Sequence, residues 1–311
     1  MRSEWIPSMR ETVPAVVITT LFLMLTALCI RLRPEHLLMA AIFLILFFAG
    51  KPSRKLAVAL LPFFIFGISY DWMRIYPNYM VGPVDIKGLY EAEKSLFGLS
   101  IGGVTLIPCE YFALHHCKVA DFLAGIFYLC WVPVPMAFGL WLYLKGHRSV
   151  YLRFALVFLL VNLIGFAGYY IHPAAPPWYA MNYGFDLVLD TPGNVAGLER
   201  FDELLGCAVF GSIYGRNANV FAAVPSLHAA YMVVALAYAI INRCKRWLVI
   251  LFGVIMTGIW WTAVYSGHHY LIDVLLGILC AMSGILFFER VLMNRKVFRR
   301  FFERYVHYIG G

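Results

Sequence analysis

The chain has 311 residues, of which 62% are hydrophobic and 14% are charged, and its formal net charge is +8. A soluble domain carries about 25% charged residues, so this composition excludes an ordinary soluble protein, and the chain is too apolar to be disordered. We therefore expect one bundle of membrane helices. The net charge alone suits nucleic-acid binding, but the distribution of charge along the chain argues against a nucleic-acid partner.

Eight apolar segments follow one another along the chain, and most have the roughly 17–25 residues that a transmembrane helix needs. The second is short, so we predict an all-α polytopic membrane protein with six to eight transmembrane helices. The segments are 13–30, 37–50, 56–75, 119–144, 151–171, 224–241, 247–265 and 270–289.

Lysine and arginine are distributed unequally between these segments. With eight spans and the N-terminus inside, most of the 25 basic residues fall in the inside segments. This positive-inside pattern predicts that both termini are cytoplasmic. The basic tail, 290–311, is expected to lie against anionic lipid headgroups rather than against nucleic acid.

Two long loops, 77–118 and 172–223, fall on the extracytoplasmic side in this topology. The first contains an amphipathic stretch with Glu91, Glu93 and Lys94 on its polar face, which predicts an interfacial helix. The second is expected to be ordered by packing over the mouth of the bundle, because long structureless loops are rare in compact domains.

We divide the chain into three parts on this basis. Residues 1–55 form an N-terminal membrane hairpin, residues 56–289 form the main membrane domain with both long loops, and residues 290–311 form the basic cytoplasmic tail.

Three polar groups stand at the predicted outer ends of the fifth, sixth and eighth segments. They are H-P-A-A-P-P-W-Y at 172–179, P-S-L-H-A-A at 225–230 and S-G-H-H-Y-L-I-D at 266–273. Polar residues near a membrane are costly and are therefore candidates for function. The topology was argued from lysine and arginine alone, so the convergence of these groups at one face is an independent check on it.

The residue types in these groups suit phosphoryl transfer. His269 and Asp273 are four residues apart, so they share a helix face, and a carboxylate on one imidazole nitrogen makes the other a better nucleophile. His228 follows Ser226 at a helix start, where free N–H groups favour phosphate. One histidine could attack phosphorus while the second protonates the leaving oxygen. A structural His–Asp pair and a helix cap at Ser226 remain alternatives.

Metal binding is the main chemical alternative to phosphoryl transfer. The candidate ligands are the adjacent pairs His115-His116 and His268-His269. Neighbouring side chains on a helix point about 100° apart, so such pairs rarely chelate one ion. We therefore predict no metal site and no cofactor.

Residues 225–229 resemble the second signature of the type 2 phosphatidic acid phosphatase (PAP2) superfamily, which reads P-S-x-H. Residues 266–277, with His269 and Asp273, resemble its third signature. Members are helical phosphatases and phosphotransferases that need no metal. The resemblance implies a PAP2-like catalytic core with His269 as the phosphoryl-accepting nucleophile, Asp273 as its orienting partner and His228 as acid and then base.

The departures from the superfamily pattern narrow the resemblance. The first signature, K-x6-R-P, is absent, and the arginine of the third would fall at Ala263. The segment A-P-P-W-Y at 175–179, with Leu227 between Ser226 and His228, is instead similar to the inositol phosphorylceramide synthases of the aureobasidin-resistance type. The segments Y-D-W-M-R at 70–74 and E-K-S-L-F-G at 93–98 also resemble the upstream region of that group, so the resemblance covers roughly 56–289. That branch moves phosphoinositol from phosphatidylinositol to a ceramide-type lipid alcohol and releases diacylglycerol. The resemblance implies a site facing the periplasm in a bacterium or the Golgi lumen in a eukaryote.

Several polar and aromatic residues could replace the missing cationic clamp or hold the substrate. Arginines could bind phosphate bidentately, although Arg74 could instead pair with Asp71 and Arg216 could be a solvated loop charge. His172 could cap a helix, and Trp178 and Tyr179 could belong to an ordinary aromatic belt. The candidate substrate-binding residues are Ser226, His172, Arg216, Arg74, Asp71, Trp178, Tyr179 and His268.

Three other functions stay open at this point. One is a lipid phosphatase of the same superfamily, acting on phosphatidic acid or a polyprenyl diphosphate. Another is a proton-coupled transporter in which the histidines and Asp273 form a relay, although the spans are nearly uncharged away from their ends. A purely structural membrane subunit would leave the three polar groups unexplained. The oligomeric state is not predictable from the sequence.

Overall fold

The computed structural model describes residues 6–214 and 219–310, which form sixteen α-helices and one short β-hairpin. The hairpin pairs β1 (Leu99–Ile101) with β2 (Val104–Leu106). The helices are α1 (Met9–Ile30), α2 (Pro34–Phe48), α3 (Lys51–Ala59), α4 (Leu61–Trp72), α5 (Lys87–Phe97), α6 (Pro108–Leu114), α7 (Lys118–Leu129), α8 (Pro133–Leu144), α9 (Arg148–Ile171), α10 (Pro177–Tyr183), α11 (Glu199–Leu205), α12 (Val209–Tyr214), α13 (Leu227–Ile241), α14 (Arg246–Tyr265), α15 (Leu271–Phe287) and α16 (Lys296–Tyr308).

The predicted helical membrane fold is confirmed. In the described part of the chain, five helical segments are long and apolar enough to cross a membrane, or six if α3 and the segment Leu61–Ile75, bent by 45°, count as one span. Two shorter apolar helices, α2 and α13, account for the remaining predicted segments. Length and composition therefore give five or six spans in the described residues, at or just below the lower end of the predicted six to eight. The short β-hairpin was not predicted.

The helix α9 lies at the centre of the bundle. It packs against α4, α8, α13, α15 and α16. Its buried residues include Tyr151, Phe154, Phe158 and Val161, which recur every three or four positions and so form one continuous stripe. The helix connects the loop at Arg148 to the polar group that begins at His172.

The start of α13 is held by close packing against glycines of two neighbouring helices. A Cβ atom on Gly277 of α15 would lie 2.1 Å from the carbonyl oxygen of Ser226. A Cβ atom on Gly165 of α9 would lie 2.5 Å from Cδ2 of Leu227. The backbones approach this closely because glycine has no side chain, and the position of His228 follows from that packing.

The two long loops are joined to each other beside α13. Isolated parallel bridges connect Asp85 to Ala174 and Ala174 to Ala222. The Ala174 N–H donates to the carbonyl oxygen of Phe221 at 3.0 Å, and the Ala175 N–H donates to that of Asp85 at 3.0 Å. The polar group at 172–179 is thereby fixed against the segment that leads into α13.

The predicted amphipathic helix is present as α5, but one residue lies on the other face. The sequence interpretation placed Glu93 on the polar face, whereas the structure buries it completely. Glu93 follows Ile86 and Leu89 at helical spacing, so it shares their buried face, and its carboxylate bonds to backbone N–H groups of α15.

The predicted basic tail contains a packed helix. α16 contacts α9, and its Phe302 is buried. The Tyr305 hydroxyl donates to the carbonyl oxygen of Val58 at 2.6 Å. Part of this segment is therefore tied to the bundle through its apolar face, while the boundaries of the three predicted parts stay predictions.

Candidate active site

The turn between α14 and α15 presents two adjacent histidines. Gly267 has φ +76°, a left-handed conformation that favours glycine, and it lets the chain reverse after α14. The His269 N–H donates to the carbonyl oxygen of Ala263 at 2.9 Å. His268 and His269 are both buried as a result, close to the start of α13.

The start of α13 is capped and tied to α15. The Ser226 hydroxyl accepts a hydrogen bond from the Ala229 N–H at 3.4 Å, so Ser226 is the N-cap. The Ser226 N–H donates to the carbonyl oxygen of Asp273 at 3.0 Å. Ser226 is fully buried and does not line the cavity described below. Its place is thus that of the capping alternative, and its hydrogen bond to Asp273 ties the helix start that carries His228 to α15.

The three residues of the predicted catalytic set lie in contact. His269 Nδ1 is 3.4 Å from Asp273 Oδ2, and His269 Nε2 is 3.0 Å from His228 Nδ1. His228 Nε2 is 3.4 Å from the Tyr214 hydroxyl. The Tyr270 N–H also donates to Asp273 Oδ2, at 2.9 Å. The chain of side chains therefore runs from Tyr214 through both histidines to the carboxylate.

The Asp273 carboxylate determines which ring nitrogen of each histidine carries a proton. An ionised carboxylate can only accept, so the proton of neutral His269 lies on Nδ1 and its Nε2 keeps a lone pair. That lone pair accepts from His228 Nδ1–H, which leaves His228 Nε2 to accept from the Tyr214 hydroxyl. A nucleophilic nitrogen and an acidic N–H consequently meet at one point.

A cavity of about 270 Å³ opens at this point, and His228, His268 and His269 line it. Much of its remaining wall is aromatic, and the Trp131 ring lies 4.2 Å from that of His228. Among the described residues that line it, none is lysine, arginine, aspartate or glutamate. The described wall of the cavity is therefore largely aromatic, and its polar side chains are the three histidines, Asn194, Asn219 and tyrosines. The aromatic lining residues are Phe66, Tyr70, Trp131, Phe166, Tyr169, Trp178, Tyr214 and Tyr231.

His268 presents a neutral acceptor. The Ser266 hydroxyl donates to the carbonyl oxygen of Thr262 at 2.7 Å, so at its 2.9 Å contact with His268 Nδ1 it must accept. His268 Nε2 then carries the lone pair, and it has no hydrogen-bond partner in the described part of the chain. Burial lowers the pKa of His268 to about 3, which keeps the ring neutral near pH 7.

Trp178 and Tyr179 are adjacent in the sequence but have different surroundings in the structure. Trp178 lines the cavity, and its backbone N–H donates to the carbonyl oxygen of Gly267 at 3.0 Å. Tyr179 does not line the cavity: its hydroxyl donates to the carbonyl oxygen of Asp186 at 3.0 Å and accepts from the Val188 N–H at 2.7 Å. Trp178 therefore joins the site, whereas Tyr179 holds the following loop.

Asp71 and Arg74 are paired with each other away from the cavity. Arg74 Nε lies 3.3 Å from Asp71 Oδ1, which is the i, i+3 alternative. Asp71 also binds Arg33, and its Oδ2 lies 2.7 Å from His36 Nε2. Neither Asp71 nor Arg74 lines the cavity. This cluster connects the N-terminal hairpin to α4.

The two remaining candidates are His172 and Arg216. His172 is half-exposed, and its Nε2 is 3.3 Å from Asp85 Oδ2. It does not line the cavity. Arg216 lies outside the described residues.

Sequence reasoning missed several residues around the histidines. The Tyr214 hydroxyl contacts His228, and the Cys109 thiol donates to the carbonyl oxygen of His269 at 3.4 Å. No motif marks either residue. Glu93 could have been found, because its spacing from Ile86 and Leu89 puts a carboxylate on an apolar helix face.

Several known proteins are similar to this chain in sequence. A family model described as the PAP2 superfamily matches residues 100–287. The chain is 71% identical over 303 residues to the phosphoinositol dihydroceramide synthase of Bacteroides thetaiotaomicron, which covers 97% of this chain and 99% of that protein. It is 28% identical over 245 residues to the inositol phosphorylceramide synthase catalytic subunit AUR1 of Saccharomyces cerevisiae, covering 76% of this chain and 59% of that subunit. No solved structure matches the chain significantly.

Proposed function

Because the chain belongs to the PAP2 superfamily, we propose that it is a membrane phosphotransferase that makes a phosphoinositol-carrying sphingolipid. The donor is phosphatidylinositol, the acceptor is the hydroxyl of a ceramide-type lipid, and the second product is diacylglycerol. The observation that carries this proposal is the 71% identity, over nearly all of both chains, to a protein named for joining phosphoinositol to dihydroceramide.

In the proposed mechanism the donor phosphorus enters between His228 and His269 and replaces their direct contact. His269 Nε2 attacks phosphorus, and the bond to the diacylglycerol oxygen breaks. The anionic phosphodiester favours the doubly protonated form of His228, which gives its Nδ1 proton to that oxygen and keeps a proton on Nε2. The product of this half-reaction is a phosphohistidine that carries the inositol group, and Asp273 balances the positive charge on the ring.

The second half-reaction reverses these roles. His228, now neutral with a free Nδ1 lone pair, takes the proton of the acceptor hydroxyl. The acceptor oxygen attacks phosphorus, and the bond to His269 Nε2 breaks. The aromatic wall favours a lipid alcohol over water in this step, because a water-poor cavity suppresses hydrolysis. The same wall supports a transferase over a lipid phosphatase.

We propose that two residues bind different parts of the donor headgroup, one the phosphate and the other a hydroxyl. Arg216 remains our candidate for the phosphate, since its nearest described chain neighbours, Tyr214 and Asn219, both line the cavity. His268 cannot serve an anion, because its Nε2 offers a lone pair rather than a proton. We propose that it accepts a hydrogen bond from a substrate hydroxyl.

We also propose an orientation for the enzyme in the membrane. The positive-inside pattern places both termini in the cytoplasm and the cavity on the extracytoplasmic side. The cavity lies near the His172 end of α9, which is the end that this topology puts outside.

The test is to incubate the purified protein with labelled phosphatidylinositol and dihydroceramide and to identify the lipid products. The wild type should produce a labelled sphingolipid and diacylglycerol. His269→Ala should abolish both while the protein stays folded, and His115→Ala, at an exposed histidine, should leave them unchanged. Free phosphate released from phosphatidic acid or a polyprenyl diphosphate, with no labelled sphingolipid from phosphatidylinositol, would instead support a phosphatase. Normal turnover by His269→Ala would contradict the mechanism.

A further inference from the structure

A carboxylate outside the catalytic motifs holds the helix that carries Asp273. Glu93 lies on α5, 178 residues before Leu271, and its side chain is completely buried. Glu91, on the same helix, is exposed. The same short helix therefore carries two glutamates, one with a buried carboxylate and one with an exposed carboxylate.

Both oxygens of Glu93 bind the first turn of α15. Glu93 Oε1 accepts from the Leu271 N–H at 2.8 Å, and Oε2 accepts from the Ile272 N–H at 3.1 Å. These N–H groups have no partner within their own helix. The preceding N–H, of Tyr270, is taken by Asp273. Two carboxylates thus bind three successive N–H groups of the segment between His269 and Asp273.

The surroundings of Glu93 act on its ionisation in opposite directions. Burial raises the pKa of the Glu93 carboxyl, the two backbone N–H groups oppose the rise, and the nearby Asp273 adds to it. A helix N-terminus favours a negative charge, so the carboxylate gains from the position where it lies. The Cys109 thiol, which donates to His269 O, is the neighbouring titratable group on α6.

The consequence for the reaction is geometric. The distance between His269 and Asp273 depends on where α15 begins, and Glu93 fixes that beginning from a separate helix. A nucleophile displaced by about 1 Å can lose roughly a hundredfold in rate. The Glu93 contact therefore bears on the approach of His269 Nε2 to phosphorus although Glu93 does not line the cavity.

We infer that Glu93 is a positioning residue for the proposed phosphotransferase: its carboxylate fixes the first turn of α15 and, through it, the His269–Asp273 pair. The inference rests on the proposed function, because the step that it accelerates is formation of the phosphohistidine.

The test measures the first turnover of the full-length protein with phosphatidylinositol and no acceptor. The amplitude of the initial diacylglycerol release counts competent sites, and its rate constant reports the attack by His269. Glu93→Gln should lower the rate constant at least about tenfold with little loss of amplitude, since glutamine keeps one acceptor but turns an NH₂ group toward an N–H. Glu93→Asp should recover part of the rate.

Glu91→Gln is the matched control and should change neither quantity. A Glu93→Gln rate constant equal to that of the wild type, or a loss of amplitude alone, would overturn the positioning role. Absence of any diacylglycerol release by the wild type would overturn the proposed function instead, so the two failures are distinguishable. If Glu93→Gln does not fold, the comparison of Glu93→Asp with the wild type gives the same decision.

Discussion

At the scale of single residues, the site is governed by which nitrogen carries a proton. Asp273 accepts from His269, and that single requirement orients His269, His228 and the Tyr214 hydroxyl. His268, beside them, is oriented separately by Ser266. In the proposed mechanism, His269 therefore offers its lone pair to phosphorus, and His268 offers its lone pair to a substrate hydroxyl.

The proposed role of His268 predicts a selective loss of donor binding. His268→Leu removes the acceptor and should raise KM for phosphatidylinositol by about two- to tenfold, the value of one neutral hydrogen bond. His268→Gln keeps an acceptor oxygen and should lose less. The measurement is the KM of each variant in the transfer assay.

Phosphatidic acid supplies the control, because it carries a phosphate without a headgroup hydroxyl. The inhibition constant of phosphatidic acid, measured as a competitive inhibitor, should be the same for His268→Leu and the wild type. An equal weakening of both lipids would show that His268 serves the phosphate or the packing of the cavity.

At the scale of elements, the distance between His228 and His269 depends on how closely α13 meets α15. Gly277 allows the α15 backbone to reach Ser226, and Gly165 does the same for α9 and Leu227. The hydrogen bond from Ser226 to Asp273 O fixes the register of this contact. The two proposed catalytic histidines thus belong to separate elements, and glycines without side chains allow these elements to approach closely.

Gly277→Ala should separate these elements and impair the site. The new Cβ would lie 2.1 Å from the Ser226 carbonyl oxygen, so backbone must move. We expect roughly a hundredfold loss of transfer rate, as for a 1 Å misplacement of reacting groups, and a lower melting temperature in detergent.

Gly253→Ala is the matched control within a helix. A Cβ at Gly253 of α14 meets nothing within 4 Å. Alanine is more favourable than glycine in a helix by about 1 kcal/mol, so this variant should keep its activity and melt no lower than the wild type. Full activity of Gly277→Ala would show that the close contact does not position His228.

At the scale of the whole molecule, most of the relations that sequence reasoning placed correctly are local. The contact between His228 and His269 is not local, and its prediction came from the topology that puts both of their segments at one face. His269 and Asp273 are four residues apart on one turn and helix start, and Ser226 caps the helix that carries His228. The apolar segments likewise became helices, because their length and composition are properties of each segment alone.

The residues that sequence reasoning could not place have distant partners. Glu93 binds the helix start 178 residues later, and Asp71 binds His36, 35 residues earlier. No local pattern encodes such pairs. For this reason the sequence alone suggests Asp71 as a substrate ligand. It likewise suggests that Glu93 is a charge on the polar face of α5.

The orientation of the molecule in the membrane is a prediction at this largest scale. Helix α9 has 24 residues and is about 36 Å long, enough to cross a hydrocarbon core of about 30 Å. Its Arg148 end and its Ile171 end therefore lie at opposite faces. Two cysteines report on these faces: exposed Cys207 lies in the loop before α12, on the cavity side in the proposed topology, and partly exposed Cys244 precedes α14 on the other.

A membrane-impermeant maleimide should label Cys207 in intact sealed cells and Cys244 only after permeabilisation. Each reporter is tested in a variant whose other accessible cysteines, Cys29, Cys117 and Cys130, are replaced by serine together with the second reporter. Cys109 and Cys280 are left in place, because they are buried and the reagent does not reach them. Labelling of Cys244 in intact cells, with Cys207 protected, would invert the topology and place phosphoinositol transfer on the cytoplasmic face.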